Sequence, residues 1–259
     1  MECTIQQLQN WELEMVESIA RICDAHGIRY FLHAGSALGA VRHGGPIPWD
    51  YDTDILIPEK DIGRFILAME AELPEKFSVD THRKNPTTTA MFPRVGLKGY
   101  STEVLHVDCF RMIGLPEDRE GQQKLLKRAS LLRKCYRAKA QGWNKGNLKS
   151  KVLKALLLPV SRGTIARRFD RLCNAVPFDE AKYVGNPFGK YGMKNVFKKE
   201  VYGEGIMVPY GGLQVRIARE TDFYLRQYYG DYMRLPDEKT RAADMERTYI
   251  VEEVSEKHV

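Results

Sequence analysis

Residues 49–57 read Trp49-Asp50-Tyr51-Asp52-Thr53-Asp54-Ile55-Leu56-Ile57 and are closed by Pro58. Acids that alternate with other residues and run into an apolar triplet predict a strand, because successive side chains on a strand point to opposite faces. Asp50, Asp52 and Asp54 share one parity, so the spacing predicts all three on one face with neighbours roughly 6.6 Å apart. Three carboxylates on one face repel one another, and such a ladder persists only where a cation or a strong set of donors neutralises it. Acids also guard the edges of solvated strands, but Ile55, Leu56 and Ile57 argue for a buried strand. Hard cations suit carboxylate oxygens, and magnesium (or manganese) is commonly held by a few carboxylates together with substrate phosphates.

Upstream of the ladder lies the loop Gly44-Gly45-Pro46-Ile47-Pro48, and before it the apolar run 28–34 enters Gly35-Ser36. That order predicts a buried strand, a tight turn and a brief helix over 37–42. The turn would aim backbone N–H groups of Gly35 and the Ser36 hydroxyl at a phosphate. Arg42 and His43 follow it, and an arginine there can neutralise a diphosphate through paired hydrogen bonds. Thr4 and Gln7 form a capping-box pattern, and Ile5, Leu8, Met15, Ile19 and Ile22 recur at helical spacing as far as Gly27.

Downstream, the pattern predicts a helix over 61–73 and strands over 77–82, 90–97 and 102–110. Asp108 stands alone inside Val104-Leu105-His106-Val107-Asp108-Cys109-Phe110, and a lone acid in an apolar strand needs a partner. With that strand beside the ladder, Asp52, Asp54 and Asp108 make a three-carboxylate cluster suited to one or two divalent ions. Arg94, on the strand between, is a further phosphate-binding candidate.

The chain has 259 residues, 43% of them hydrophobic and 29% charged, with a formal net charge of +6. This composition excludes collagen-like, low-complexity and disordered chains. The five cysteines include no Cys-x-x-Cys pair, so neither a disulfide framework nor a cysteine zinc site is expected. A polar N-terminus and the lack of any apolar run near the ~20 residues that span a bilayer point to a cytoplasmic protein. Residues 124–171 hold 15 Lys or Arg against the single acid Asp170, a net +14, while the remainder carries 25 basic and 33 acidic residues. A solvated helical face ordinarily mixes the two signs, so this block signals an anionic partner: nucleic acid, a membrane face or a glycan acceptor. Within it Leu125, Leu126, Leu131, Leu132, Val152, Leu156 and Leu157 are the expected buried positions. Residues 183–217 read as irregular β structure, and 222–229 as a last helix stopped by Gly230.

The run from Ala34-Gly35-Ser36-Ala37-Leu38-Gly39 through Pro48-Trp49-Asp50-Tyr51-Asp52-Thr53-Asp54 resembles the signature of the LicD family. That family includes bacterial phosphocholine transferases and is related to fukutin-type phosphoribitol transferases. Val107-Asp108-Cys109-Phe110 and Tyr229-Gly230-Asp231-Tyr232-Met233-Arg234-Leu235-Pro236 are similar to later family segments. The resemblance implies an α/β (α+β) nucleotidyltransferase-like fold: a mixed sheet flanked by helices, with a basic helical segment attached. It implies one domain over 1–259, with a catalytic core at about 28–115, the basic segment at about 117–175 and a C-terminal β and helical part at about 176–259. It further implies a CDP-activated donor, typically CDP-choline, whose phospho-alcohol passes to a sugar hydroxyl of a surface glycan or its lipid-linked precursor. Magnesium would be held by Asp52, Asp54 and Asp108, with Asp108 as proton acceptor by superfamily analogy. Gly35, Ser36, Arg42, His43, Trp49, Asp50 and Arg94 would bind substrate.

Tyr51 stands where many members carry another acid. Trp49, Tyr51, Tyr100 and Trp143 are open to a cation–π role, but no choline box is read from them. Two other classes stay open. An enzyme adding a nucleotide from an NTP would use the same acids, and a non-catalytic RNA-binding protein would use the basic block. Against the latter, RNA-recognition aromatics are absent and the acids repel a phosphate backbone. Peripheral contact with the inner face of the cytoplasmic membrane is expected instead.

Overall fold

The computed structural model describes residues 1–85, 88–141, 148–189, 191–245 and 247–254, so Trp143 and Lys145 lie outside the described residues. In chain order the elements are β1 (Glu2–Thr4), α1 (Ile5–Ala25), β2 (Phe31–Leu32), α2 (Ala34–His43), β3 (Thr53–Pro58), α3 (Ile62–Glu72), β4 (Phe77–Asp80), β5 (Arg94–Leu97) and β6 (His106–Leu115). There follow α4 (Arg119–Ala140), α5 (Leu148–Leu156), α6 (Arg162–Cys173), β7 (Tyr183–Gly185), β8 (Val196–Lys198), α7 (Lys199–Tyr202), β9 (Ile206–Tyr210), β10 (Leu213–Ile217), α8 (Thr221–Tyr229), α9 (Glu238–Met245) and β11 (Thr248–Ile250).

The main sheet runs β2-β3-β6-β5-β4, with β7 on the far end of β6 and β8 beside β7. Only the β3–β6 pair is parallel. The mixed sheet flanked by helices is the architecture expected from the sequence. The capping box is present at Thr4 and Gln7, and Gly230 ends α8. Among the described residues no helix is long and apolar enough to cross a membrane.

Three departures from the sequence reading bear on the site. First, β3 begins at Thr53, so only Asp54 of the three acids stands on the strand. Residues 47–50 turn instead, with the Asp50 N–H donating to the Ile47 carbonyl at 2.9 Å. The buried Gln9 of α1 donates to the carbonyls of Ile47 and Asp50 at 2.8 and 2.7 Å, taking acceptors that a ladder would have used. Second, α2 begins at Ala34 rather than at 37, because Ala34 adopts a left-handed φ of 45° and turns the chain in one residue. Such a φ strains a side-chain-bearing residue by about 1–3 kcal/mol; the Ala34 N–H is held by the Tyr224 hydroxyl at 2.9 Å. Third, the strands shift: 77–82 shortens to Phe77–Asp80, while Ala90, Met91 and Phe92 pack irregularly into a second core ahead of β5. β6 extends to Leu115 because β7 gives its distal half a partner.

The buried apolar residues form two clusters, one under α1, α2, α3 and the sheet and one under α4 and α6. Phe110 packs against both. Arg111, 5% exposed, ties them further, with its Nε donating to Glu59 Oε2 and its Nη1 to Asp170 Oδ1, each at 2.7 Å. Of the expected buried positions in the basic segment, Leu125 is buried, while Leu131, Val152 and Leu156 are 59%, 52% and 72% exposed. Only one face of α4 meets the core, and α5 turns Lys154 inward at 3% exposure.

Gly39 fixes the approach of α2 to the loop before the acids: a Cβ there would lie 2.5 Å from the Gly45 carbonyl oxygen. Gly39→Ala should therefore destabilise the protein by about 1–3 kcal/mol through overpacking. Thermal melting reads this, and an unchanged Tm would mean that the loop yields freely.

Candidate active site

The parallel register sets Asp54 of β3 directly opposite Asp108 of β6, and Asp108 in turn opposite Arg94 of β5. Two carboxylates and a guanidinium thus meet across three adjacent strands. The Arg94 Nε donates to Asp108 Oδ1 at 2.8 Å, and the His106 Nε2 lies 3.0 Å from the same oxygen. A further bond from Arg94 Nη1 to the Thr102 carbonyl at 2.8 Å locks the arginine. Burial alone would raise the Asp108 carboxyl, but His106 and Arg94 outweigh it and hold the group below the ordinary range. Arg94, read from the sequence as a phosphate ligand, is therefore first of all the counter-ion of Asp108.

Asp54 is in the opposite condition. Burial raises its carboxyl well above the ordinary range, repulsion from Asp52, Asp108 and Asp50 adds to this, and Arg94 is the opposing charge. Among the described residues no side chain donates a hydrogen bond to the carboxylate of Asp54 or of Asp52. Asp52 is exposed on the loop just before the strand, and Asp50 is half-buried.

The first turn of α2 faces this group. The Asp54 N–H donates to Ser36 Oγ at 2.8 Å, so the buried Ser36 fastens the strand to the helix start. A Cβ on Gly35 would come 3.1 Å from Asp50 Oδ2, which places that acid against the helix N-terminus, the end that favours negative charge. Arg42, His43 and Trp49 make a separate cluster. Arg42 donates to His43 Nε2 and to the Tyr232 carbonyl, each at 3.0 Å, and lies 5.7 Å from the Trp49 ring centre; His43 meets Trp49 edge-on. Eight residues separate Arg42 from Ala34, roughly 12 Å along a helix, so this cluster marks the far end of α2. The aromatic candidates do not converge: Tyr51 packs on Tyr249 at 4.8 Å, and Tyr100 bonds Glu253.

Several residues that hold the site escaped the sequence reading. Glu12 of α1, 1% exposed, accepts the Thr53 hydroxyl on Oε2 at 2.8 Å, and its Oε1 has no hydrogen-bond partner among the described residues. Burial raises its carboxyl well above the ordinary range; the Thr53 bond opposes this, and Asp52, Asp50 and Asp54 add to it. Gln9 and Glu12 sit three apart on one helix face, a pattern indistinguishable in sequence from ordinary polar spacing. His33, just before Ala34, is fully enclosed and lowered by burial to about 3, hence neutral. Asn186 Nδ2 donates to its Nε2 at 3.0 Å, which assigns the ring proton to Nδ1, 2.8 Å from the Tyr224 hydroxyl. His106 did leave a signal, since positions 106 and 108 share a strand face.

Among the described residues no three His, Cys, Asp or Glu side chains gather closely enough to hold a metal ion by themselves. The donor set instead fits a magnesium bound by one or two carboxylates and completed by substrate phosphates and water. Asp54 and Asp52 would hold it, since they are unpaired and mutually repelled, and Asp108 keeps only Oδ2 open.

The mixed sheet thus carries Asp-x-Asp at the head of one strand and a third acid on its parallel neighbour, with a helix N-terminus facing them. Residues 27–134 match the family described as LicD/FKTN/FKRP, nucleotidyltransferase domain, which bears out the resemblance read from the sequence. The chain is 24% identical over 262 residues to the lipopolysaccharide cholinephosphotransferase LicD of Haemophilus influenzae, covering 96% of this chain and 98% of that protein. It is also 48% identical over 50 residues to the ribitol 5-phosphate transferase FKRP of Mus musculus and of Homo sapiens, a stretch covering 19% of this chain and 10% of each.

The two strand acids should behave oppositely toward pH in the absence of divalent cations. Asp54, raised in the folded state, costs stability as pH rises through its folded pKa, so Asp54→Asn should melt higher than wild type at pH 7.5 and lose that advantage near pH 4. Asp108 is lowered, and its contribution, present above the unfolded pKa, fades as pH falls through the folded one. Asp108→Asn should destabilise the protein at neutral pH by breaking its buried pair with Arg94, which keeps Glu103 at 3.6 Å. Thermal melts across pH read both, and equal responses would remove the distinction.

Proposed function

We propose that the protein is a metal-dependent transferase that moves phosphocholine, or a related phospho-alcohol, from a CDP-activated donor to a sugar hydroxyl of a surface glycan or its lipid-linked precursor. The observation that carries this reading is the pairing of Asp54 with Asp108 before the α2 N-terminus. Among the described residues one carboxylate accepts no side-chain hydrogen bond, while one oxygen of the other is held by Arg94 and His106. The transferase names of the relatives support phospho-alcohol transfer as the reaction class, and the full-length similarity to a lipopolysaccharide cholinephosphotransferase supports choline and a glycan acceptor.

The donor diphosphate would lie near the first turn of α2, where the helix dipole favours negative charge, beside the Asp50 carboxylate already set against Gly35. Magnesium (or manganese) held by Asp52 and Asp54 would neutralise the bridging phosphates and the charge that develops on the departing CMP. Asp108 is kept ionised by Arg94 and His106, which occupy Oδ1, so Oδ2 is free to accept the hydrogen of the attacking sugar hydroxyl. A new bond forms between the sugar oxygen and the distal phosphorus, the bond from that phosphorus to the CMP oxygen breaks, and the proton passes to Oδ2. Held ionised, that carboxylate is in the protonation state that a proton acceptor requires. His33 neutral, Ser36 and Gln9 position the backbone around these acids. Arg42, His43 and Trp49 would meet the part of the substrate that extends beyond the phosphates. The basic segment faces the acceptor or the inner membrane face that presents it.

Incubation with CDP-choline, magnesium and a glycan acceptor should release CMP. Asp52→Asn and Asp54→Asn should each lower turnover at least about 100-fold, the scale for losing preorganised charge stabilisation. Asp108→Asn should lower kcat with a smaller effect on donor KM. Pyrophosphate release from an NTP, with no CMP from any CDP-alcohol, would overturn the reading in favour of nucleotidyl transfer.

A further inference from the structure

α5 is amphipathic in the reverse sense. Its inward face carries Lys154, 3% exposed, while Lys151, Val152, Ala155 and Leu156 stand exposed, followed by Leu158 at 63%. Val152 and Leu156 are four apart and so share one face of the helix. The helix packs on α4, and Lys139 of α4 donates to the Leu157 carbonyl at 3.2 Å. α4 itself exposes Leu131 at 59% together with Lys127, Arg128, Lys134 and Arg137. The segment therefore presents aliphatic side chains among cations, and its one acid, Asp170, is engaged with Arg111 at 2.7 Å.

We infer that the outer face of α5, with Val152, Leu156 and the following Leu158 as the apolar wedge and Lys151 and the α4 cations around it, docks on an anionic lipid bilayer. Charge decides the occupant. A second copy docked symmetrically through this face would bring one net +14 segment against another. A single-stranded nucleic acid is held by stacking on aromatic rings, whereas Tyr136 and Phe169, the aromatics among the described residues of this segment, are buried. Exposed aliphatics beside lysine and arginine are the arrangement of interfacial helices, which insert the apolar face at the headgroup boundary and draw on anionic lipid for the rest. The inference stands on α4 and α5 and is independent of the donor chemistry.

The test is sedimentation of the whole chain with vesicles of phosphatidylcholine alone and of phosphatidylcholine with one-third phosphatidylglycerol. Binding is expected to the anionic vesicles only, and to weaken several-fold when salt rises from 0.1 to 0.5 M, as the Debye length shrinks. Val152→Ser/Leu156→Ser/Leu158→Ser should weaken anionic binding about tenfold, and Lys127→Gln/Lys134→Gln/Arg137→Gln should do likewise. Both variants should keep the wild-type melting temperature. The inference is overturned if the serine variant binds vesicles like wild type. It is equally overturned if wild type is a dimer in light scattering that the serine variant dissolves, or if it retains RNA and ignores vesicles. Vesicle binding without CMP release would instead count against the proposed reaction alone.

Discussion

Everything at the site depends on two like charges being held opposite each other across a parallel strand pair. The β3–β6 register makes Asp54 and Asp108 neighbours, and half-buried carboxylates at that separation destabilise each other unless something intervenes. The protein resolves half of the conflict internally. Arg94 and His106 satisfy one oxygen of Asp108, which leaves Asp54 to carry the unresolved repulsion of three acidic neighbours. A cation bound at such a site would relieve a cost already built into the fold.

That arrangement requires rigid supports, and they come from elements distant in the chain. α1 supplies Gln9 and Glu12 beneath the acid loop, and α2 supplies Ser36 at the Asp54 amide. α8 supplies Tyr224, which secures both His33 and the strained Ala34. The left-handed alanine is informative in this respect: a non-glycine residue in that conformation persists only where its surroundings over-determine it, and here the reward is a helix N-terminus delivered to the acids in a single residue.

The basic segment is bound to the catalytic sheet by more than its chain connections. Phe92, Phe110 and Phe188 pack together where the second core meets the sheet, with Phe110 two residues beyond Asp108. Arg111, next along β6, forks onto Glu59 and reaches Asp170 of α6. Movement of α4 and α6 relative to β6 would therefore break a buried ion pair.

The sequence by itself determined the class of the fold and the identity of the acids. Period-2 and helical spacings marked α1, α3, α8 and the core of each central strand, and Asp108 stood out because a lone carboxylate in an apolar strand needs a reason. The sequence could not determine which acids lie on the strand, since the ladder of Asp50, Asp52 and Asp54 was broken by Gln9, a side chain forty residues upstream competing for backbone carbonyls. Nor could it separate the roles of Asp54 and Asp108, because a carboxylate's state follows from its counter-ions, and Arg94 and His106 reach Asp108 only through the strand register. The inward Lys154 and outward Leu156 of α5 were likewise decided by tertiary packing: helical periodicity specifies that a helix has two faces, and only its neighbours specify which one is turned toward the protein.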